Sequence, residues 1–406
     1  MISIKDFFYY FIKFQLIILL FVPKIYVSNL IGIESNLKPE DIFWILSLPF
    51  VFLFFSLRKE KFFLAWILFL TTIFIGCIIH YHNLLIFGRL FLYSIPLIFL
   101  HVGLESKNEK SILKILKFFL FFSFIYSLLL TFFPLPFFHT GEFLLGPVER
   151  YSANFGNGVE AALSIFLVTC ILKIKNELKL SYYILALVTI LLTGSRLVIA
   201  VYLIFGLYNF MTFKKRYIFT ISGIFIFIFV NLSLTESIEK SRFSTVNKDL
   251  IDNLISVYKQ NISPINYPIN DDGSGYCFNF NDSLSDDQSF AMRLSKASFV
   301  LNSVVFGSHK FGFGFGKCIG GAADNLFIRF LNDGGLLYFF GFCIWIVFLI
   351  LNLRNSRLFI LSFILLSFFY DTIYFSRVAP IFFLFLYFTI KQSKLENDFS
   401  KHSLIS

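Results

Sequence analysis

Charged side chains are scarce in this sequence, far scarcer than in an ordinary soluble domain. Asp, Glu, Lys and Arg make up 15% of the 406 residues, whereas apolar residues make up 57% and include 61 phenylalanines. The core of a soluble domain cannot bury so many large apolar side chains. The composition therefore excludes an ordinary soluble protein and predicts a protein that crosses a membrane several times.

Two further absences narrow the class of membrane protein. The ten-residue segments of alternating apolar and polar residues that a transmembrane barrel requires are missing. There is also no CxxC pair, no zinc-ligand spacing and no EF-hand loop, so we expect neither a metal nor another cofactor. Long apolar runs recur from end to end instead, which predicts an all-α polytopic fold.

Twelve apolar segments predict about twelve transmembrane helices. They lie at 7–23, 41–57, 62–79, 86–104, 113–133, 155–172, 181–194, 196–213, 217–234, 325–351, 358–370 and 376–390. We interpret the first as a retained span rather than a signal peptide, because no small-residue cleavage site follows it. The chain then divides into helices 1–9 over 1–234, a large loop over 235–324, helices 10–12 over 325–391, and a tail over 392–406 that we expect to be disordered.

The charges of the segments between the spans predict how the protein is oriented in the membrane. One set is short and basic: 58–61, 105–117, 173–179, 214–216, 352–357 and the tail from Lys391. By the positive-inside rule these segments are cytoplasmic, together with both termini, and the loop 235–324 is on the outer side.

The stretch "LLTGSRLVIA" from Leu191 to Ala200 predicts a helical hairpin. Lys179 and the cluster 214–216 flank it, and both belong on the cytoplasmic side. A turn at 193–195 leaves both basic segments on the cytoplasmic side, but each arm of the hairpin is then shorter than the roughly 20 residues needed to cross a membrane. We therefore expect the turn, and Arg196 with it, to lie below the outer surface.

Arginines are distributed against the positive-inside rule. Seven of the 11 arginines fall on the predicted outer side: Arg89, Arg150, Arg196, Arg242, Arg293, Arg329 and Arg377. One interpretation is that each of them snorkels or pairs with a nearby acid. The other is an anionic pocket at the outer leaflet, because arginine suits multidentate recognition of phosphate or pyrophosphate.

Arg329 carries the same two interpretations. Asn325, Arg329 and Asp333 are spaced four residues apart and share one helix face. An Arg329–Asp333 ion pair within the helix is one reading, and a polar face toward protein or a water-filled cavity is implied in either case. The pair Gly334-Gly335 would let another helix approach closely or would bend this one.

The segment "GSHKFGFGFGKCIGG" at 307–321 resembles a phosphate loop only superficially. No βαβ unit surrounds it and it lies on the outer side, so we exclude a nucleotide site. Its glycines predict close approach of backbone to a ligand or re-entry at the membrane edge. Cys277 and Cys318 both fall in the large loop, where an oxidising compartment would permit a disulfide, although spacing alone does not decide this.

Several short motifs resemble the O-antigen polymerase and ligase superfamily, of Wzy-type polymerases and WaaL-type ligases. They are "TGSR" at 193–196, "GPVERYSANFGNGVEAA" at 146–162, an arginine, here Arg293, ahead of a loop ending in "GFGFGK" at 312–317, "DN" at 324–325 followed by "FLNDGGLLYFFGF", and, less distinctively, "YFSRVAP" at 374–380. The resemblance covers most of the chain in layout but only short motifs in sequence.

The resemblance implies a GT-C-like glycosyltransferase of a bacterial inner membrane. Such a polymerase transfers a glycan from undecaprenyl pyrophosphate to the next lipid-linked repeat unit at the periplasmic face, without metal, nucleotide sugar or nucleic acid. A chain-length regulator protein is a candidate partner. Residues implied in catalysis are Arg196 and Arg293, followed by Arg150 and Arg377. Those implied in substrate binding include Arg89, Asn325 and Arg329.

The general base stays open at this point. Ligases of the superfamily carry a histidine directly before the asparagine, where this chain has Asp324, and this departure favours a polymerase. Asp324 is the positional candidate for the base, His309 and Glu149 are rivals, and a helix cap is its alternative role. A ligase acting on lipid A core, or a lipid-linked oligosaccharide flippase, remains an alternative, although transporters usually show paired repeats, which are absent here.

Overall fold

The computed structural model describes residues 4–22, 45–46, 61–98, 106–132, 157–210, 277, 288–319, 325–353 and 356–403. This part of the chain is helical and contains no β-strand. Its α-helices are α1 (Ile4–Phe21), α2 (Lys61–Ile79), α3 (Asn83–Tyr93), α4 (Ser106–Phe132), α5 (Gly158–Ile174), α6 (Leu180–Leu192), α7 (Arg196–Phe210), α8 (Gln288–Val300), α9 (Leu326–Asn352), α10 (Arg357–Ser367) and α11 (Val378–Ser403). A π-helix at Leu301–Phe306 follows α8, and short 3-10 helices lie at Ile95–Ile98 and Thr372–Tyr374.

Four of the described helices are long and apolar enough to cross a membrane. They are α2, the part of α4 from Lys107 to Leu129, α9, and the part of α11 from Val378 to Leu395. The prediction of a helical membrane protein is thus confirmed, and the number of twelve spans stays a prediction. The predicted spans at 41–57 and 217–234 lie outside the described residues, apart from 45–46.

Exposed apolar side chains form stripes along two of these helices. On α2 they include Leu64, Leu68, Ile75 and Ile78, and on α9 they are Phe340, Ile344, Val347 and Leu351. Spacings of three and four residues place each set on one helix face. Such continuous apolar faces are unfavourable in water and are suited to contact with lipid.

Two helices form the centre of the bundle. All residues of α5 from 158 to 172 are buried except Val159, and so is α11 from 378 to 390. The two helices run parallel, because Arg377 at the start of α11 contacts Glu160 at the start of α5. A helix that is apolar all round is stable in a bundle core or in lipid, and the buried polar side chains Glu160, Ser164 and Thr169 of α5 favour the core.

Connectors predicted to be cytoplasmic meet at one end of the bundle. Glu109 accepts hydrogen bonds from Lys391 and Tyr387, and its carboxylate lies 3.0 Å from the Lys175 amine. Nearby, Lys117 pairs with Glu177 at 2.6 Å and holds the pKa of that carboxyl below its usual value. The fold therefore groups these connectors as the charge pattern predicted, and their orientation in the membrane stays a prediction.

The hairpin predicted around Arg196 is present. Helices α6 and α7 are joined by the turn 193–195, with Gly194 in the left-handed region at φ 64°. The rings of Tyr183 and Tyr202 stack at 4.7 Å, and each hydroxyl donates to the backbone carbonyl of the other tyrosine. Both arms are shorter than a full span, as expected.

Helix α9 is interrupted at Gly335, where φ is 64° and ψ is −150°. The loop before α9 fills the break: the Leu336 amide donates to the Lys310 carbonyl at 2.9 Å, and the Phe313 amide donates to the Asn332 carbonyl at 2.7 Å. A Cβ atom at position 335 would lie 2.0 Å from the Lys310 oxygen. The bend expected from Gly334-Gly335 is therefore present, and glycine is required there by both conformation and space.

Some predicted boundaries and one predicted state were wrong. Helix α11 continues to Ser403, so the prediction of a disordered tail is wrong for residues 392–403. Lys391 binds Glu109 and thereby anchors the helix, and adding residues to an existing helix is favourable. Helix α4 begins at Ser106, seven residues earlier than predicted, because Glu109 is buried among cations. Helix α3 ends at Tyr93, ahead of Pro96, which cannot donate a helical hydrogen bond.

Candidate functional site

One short segment connects several of the arginines predicted on the outer side. It comprises residues 368–377 between α10 and α11 and is called the crossover segment below. The Asp371 carboxylate accepts from the Asn325 amide at 3.1 Å, and the Tyr374 hydroxyl donates to Asp333 at 2.8 Å. Arg377, its last residue, donates its backbone amide to Glu160 at 3.1 Å. The crossover segment thus joins the start of α9 to the start of α5.

Arg329 is buried in a network of polar and aromatic contacts inside the protein. Its Nε atom lies 2.9 Å from Asp333 Oδ2, and the two side chains are exposed by only 2% and 0%. The guanidinium carbon lies 4.8 Å from the ring centroid of Phe315 and 5.1 Å from that of Tyr374, within cation–π range. Asn332 donates to the other carboxylate oxygen of Asp333 at 3.0 Å. The ion pair considered from the sequence is therefore present, and it holds the first part of α9 against the crossover segment.

Asn325 is the N-cap of α9. Its side-chain oxygen accepts from the amides of Phe327 and Ile328 at 2.9 and 3.1 Å, which satisfies two amides of the first turn. Capping occupies the side-chain oxygen. Asp324, the residue before it, lies outside the described residues.

Asn83, at the start of α3, is a buried polar residue that sequence reasoning missed. Its side-chain nitrogen donates to the Asp333 carbonyl at 2.8 Å and to the Tyr338 hydroxyl at 2.9 Å, and its side-chain oxygen accepts from the Phe315 amide at 2.7 Å. Asn83 therefore joins α3, the glycine-containing loop and the break in α9. Its position at the head of the apolar run 84–87 was the signal that could have identified it.

Arg377 and the turn before Arg196 meet the same helix start. Arg377 and Glu160 are both completely buried. On the neighbouring side of α5, a Cβ atom at Gly158 would lie 2.9 Å from the Thr193 carbonyl oxygen, so the α6–α7 turn packs closely there. The first turn of α5 thus contacts Arg377 through one residue and the turn that leads into Arg196 through another. The side chain of Arg196 itself is outside the described residues.

The other predicted site residues are distributed more widely. Arg293 is exposed on α8, whose far end packs on α9 through Phe299 and Leu331. Arg89 is half-buried on α3, and His309 stacks on Phe313 at a centroid distance of 4.8 Å. Arg150 and Glu149 lie outside the described residues.

Cys277 and Cys318 form a disulfide, the pairing that the large loop permitted. The Cys277 amide also donates to the Cys318 carbonyl at 2.9 Å. The bridge therefore ties a distant part of the loop to the residue that directly follows "GFGFGK". Within the described ranges, no three His, Cys, Asp or Glu residues are grouped so that they could hold a metal ion.

Comparison with known proteins gives no family assignment. No protein-family model matches the chain, and no curated protein is significantly similar to it.

Proposed function

We propose that this protein is a membrane-embedded polymerase of surface polysaccharide. It transfers a glycan from undecaprenyl pyrophosphate to the next lipid-linked repeat unit at the periplasmic face of a bacterial inner membrane. The donor and the acceptor are both lipid-linked, and no metal or nucleotide sugar takes part.

The observation that carries the proposal is the position of Arg377. A completely buried arginine at the start of α11 adjoins the first turn of α5, and the turn leading into Arg196 packs on that same helix start. Burying an arginine beside apolar helices is costly unless its charge is paired or is used by the protein. Two arginine-bearing segments beside one helix start support a site for an anionic group.

The chemistry of the reaction calls for such a site. When the glycosidic bond breaks, the electron pair stays on the pyrophosphate oxygen, so negative charge grows on the leaving group. Guanidinium groups fixed around it stabilise the transition state more than the ground state and therefore raise the rate. Arg196 and Arg293 are assigned to this role by their motifs, with Arg377 and Arg150 as further contacts.

Arg329 takes a supporting role in this proposal. Its charge is already balanced by Asp333 and covered by two aromatic rings. It contributes by holding Asn325 and the crossover segment in place. Asp324, immediately before Asn325, is the candidate that orients the acceptor hydroxyl.

The test is disruption of the gene, followed by gel analysis of the surface polysaccharide. A polymerase predicts loss of the ladder while the addition of single repeat units continues, and wild-type complementation restores the ladder. Loss of all attachment would point to a ligase or a flippase instead. Cysteine labelling of the loop 235–324 from the cytoplasmic side would contradict the proposed side of the reaction.

A further inference from the structure

Two segments on the predicted outer side of the bundle bring two histidines close to a lysine that forms no ion pair with a carboxylate among the described residues. One is the turn 80–82 between α2 and α3, called the histidine turn, with the sequence His80, Tyr81, His82. The other is the glycine loop, residues 312–317, which ends at Lys317.

The two segments are in direct contact. A Cβ atom at Gly314 would lie 3.2 Å from the His80 Cβ, and the Phe315 amide is bonded to Asn83, the residue after the histidine turn. Lys317 follows two residues later and lies close enough to His82 for its charge to act on that ring. Glycine suits both positions of the loop, because Gly314 and Gly316 have φ values of 98° and 77° that few other residues adopt.

Polar groups in this contact lack partners. The Nε2 atom of His80 is buried and makes no hydrogen bond within the described part of the chain. No carboxylate among the described residues forms an ion pair with His80, His82 or Lys317. Buried polar atoms are nearly always satisfied, so this ring nitrogen is a candidate hydrogen-bonding group for a bound ligand.

The contact also has space and a favourable field for a ligand. A side chain at Gly316 would meet no atom within 4 Å, so the glycine loop is open there. Helix α3 begins at Asn83, which places the positive end of its macrodipole at the histidine turn. Tyr81 is largely exposed, and its ring lies 3.8 Å from that of His82.

We infer that the histidine turn and the glycine loop form a binding site for an oxyanion, a phosphate or carboxylate group, held by His80, His82 and Lys317. The site is separate from Arg377 and from the start of α5, and it does not depend on the proposed function. Two sources offer this chemistry at the outer surface: the phosphate of a lipid headgroup, and an anionic group on a soluble molecule or glycan.

The titration of His82 reports on the site. Partial burial lowers its pKa, and the charges of Lys317 and His80 lower it further; Tyr81 is the other titratable group that faces it. The negative charge of a bound oxyanion would counteract the effect of the Lys317 and His80 charges on this pKa. Its binding should therefore raise the pKa of His82, by about one pH unit for a directly contacting anion.

The experiment uses the whole protein in neutral detergent, with ¹³C-labelled histidine observed by NMR and His82→Gln to assign the signal among the six histidines. Inorganic phosphate is added against chloride at equal ionic strength. We expect phosphate, and not chloride, to raise the pKa of His82. Lys317→Gln should raise it without phosphate and weaken the phosphate response at least about fivefold, as expected for loss of a charge-assisted contact.

The matched control is Lys310→Gln, which removes a lysine of the same region whose amine donates to the Val305 carbonyl. This variant should respond like the wild type. Gly316→Asp provides a second variant, since aspartate tolerates the left-handed region and would place a carboxylate in the open space. It should raise the pKa of His82 and abolish the phosphate response.

Two further measurements identify whether the bound anion comes from a lipid headgroup or from a soluble molecule or glycan. In nanodiscs without phosphate, exchange of phosphatidylcholine for phosphatidic acid raises the pKa of His82 if a headgroup is the ligand. A response only to added phosphate or glucuronate assigns the site to a soluble or glycan-borne anion. Equal effects of chloride and phosphate, or equal responses of Lys317→Gln and Lys310→Gln, would overturn the site.

Discussion

The Nε atom of Arg329 lies 2.9 Å from Oδ2 of Asp333, one turn farther along α9. This pair lies beside the break at Gly335 and is surrounded by contributions from three other segments. Tyr374 donates to Asp333 from the crossover segment, Phe315 covers the guanidinium from the glycine loop, and Asn83 donates to the Asp333 carbonyl from α3. The pair is therefore where distant parts of the chain are joined.

Removal of one member of this pair should be costly. Arg329→Met leaves the buried Asp333 carboxylate without its cation, and we expect a loss of about 3–5 kcal/mol in the free energy of unfolding. Asp333→Leu should cost a similar amount, whereas the double variant should lose much less than the sum. Unfolding of the purified protein in mixed micelles measures all three. Strictly additive losses would mean that the two side chains do not interact.

Substitution of Gly335 tests the break in α9. Gly335→Ala forces a Cβ against the Lys310 oxygen at a φ that alanine avoids, so we expect destabilisation of about 1–3 kcal/mol or more. Gly88→Ala in α3 is the matched control, because a Cβ there meets nothing within 4 Å. The control should gain about 0.5–1 kcal/mol, as expected inside a helix. Equal unfolding curves for both variants would contradict the close approach of the loop.

Lysine substitutions test whether each arginine binds two oxygens of the pyrophosphate. Lysine keeps the charge but loses the planar fork, so Arg196→Lys and Arg293→Lys should lower polymer formation about 10²-fold or more, nearly as far as alanine. Arg357→Lys is the control, since that arginine lies on the side predicted to be cytoplasmic and donates to the Ile350 carbonyl. The readout is the polysaccharide ladder at matched protein levels. Full activity of both lysine variants would exclude bidentate binding.

Asp324 and Arg196 should have different phenotypes. An aspartate with an ordinary pKa of about 4 is a weak base near neutral pH, so we expect it to orient the acceptor or an arginine. Asp324→Asn should then shorten the polymer, whereas Arg196→Ala should leave single repeat units only. Band patterns at equal expression compare the two. Complete loss in Asp324→Asn, together with an altered pH–rate profile, would make Asp324 the general base.

The disulfide predicts how many thiols react before and after reduction. Cys77, Cys170 and Cys343 are free thiols, whereas Cys277 and Cys318 are bridged. Denatured protein prepared without reductant should therefore give three of the five thiols, and all five after reduction. Five thiols before reduction would contradict the bridge.

Hydropathy and spacing alone predicted much of this protein correctly. The helical membrane class and the hairpin with its turn at 193–195 followed from the sequence, which also offered the bend at Gly334-Gly335 and the Arg329–Asp333 pairing as one of two interpretations each. Each of these features depends on residues that are close together in the chain. Helical periodicity, the length needed to cross a bilayer and the conformational freedom of glycine act over a few turns, so a linear pattern is sufficient.

Only the tertiary structure decided which buried polar groups meet. Asn83 and Asp333 are 250 residues apart, and Glu160 and Arg377 are 217 apart. Nothing in the local sequence of either partner indicates the other, because the choice depends on how the helices assemble. An unpaired polar group inside the bundle would cost several kcal/mol, so packing brings these distant groups together. For the same reason only the tertiary structure placed the histidine turn against the glycine loop that ends at Lys317, more than 200 residues away in the chain.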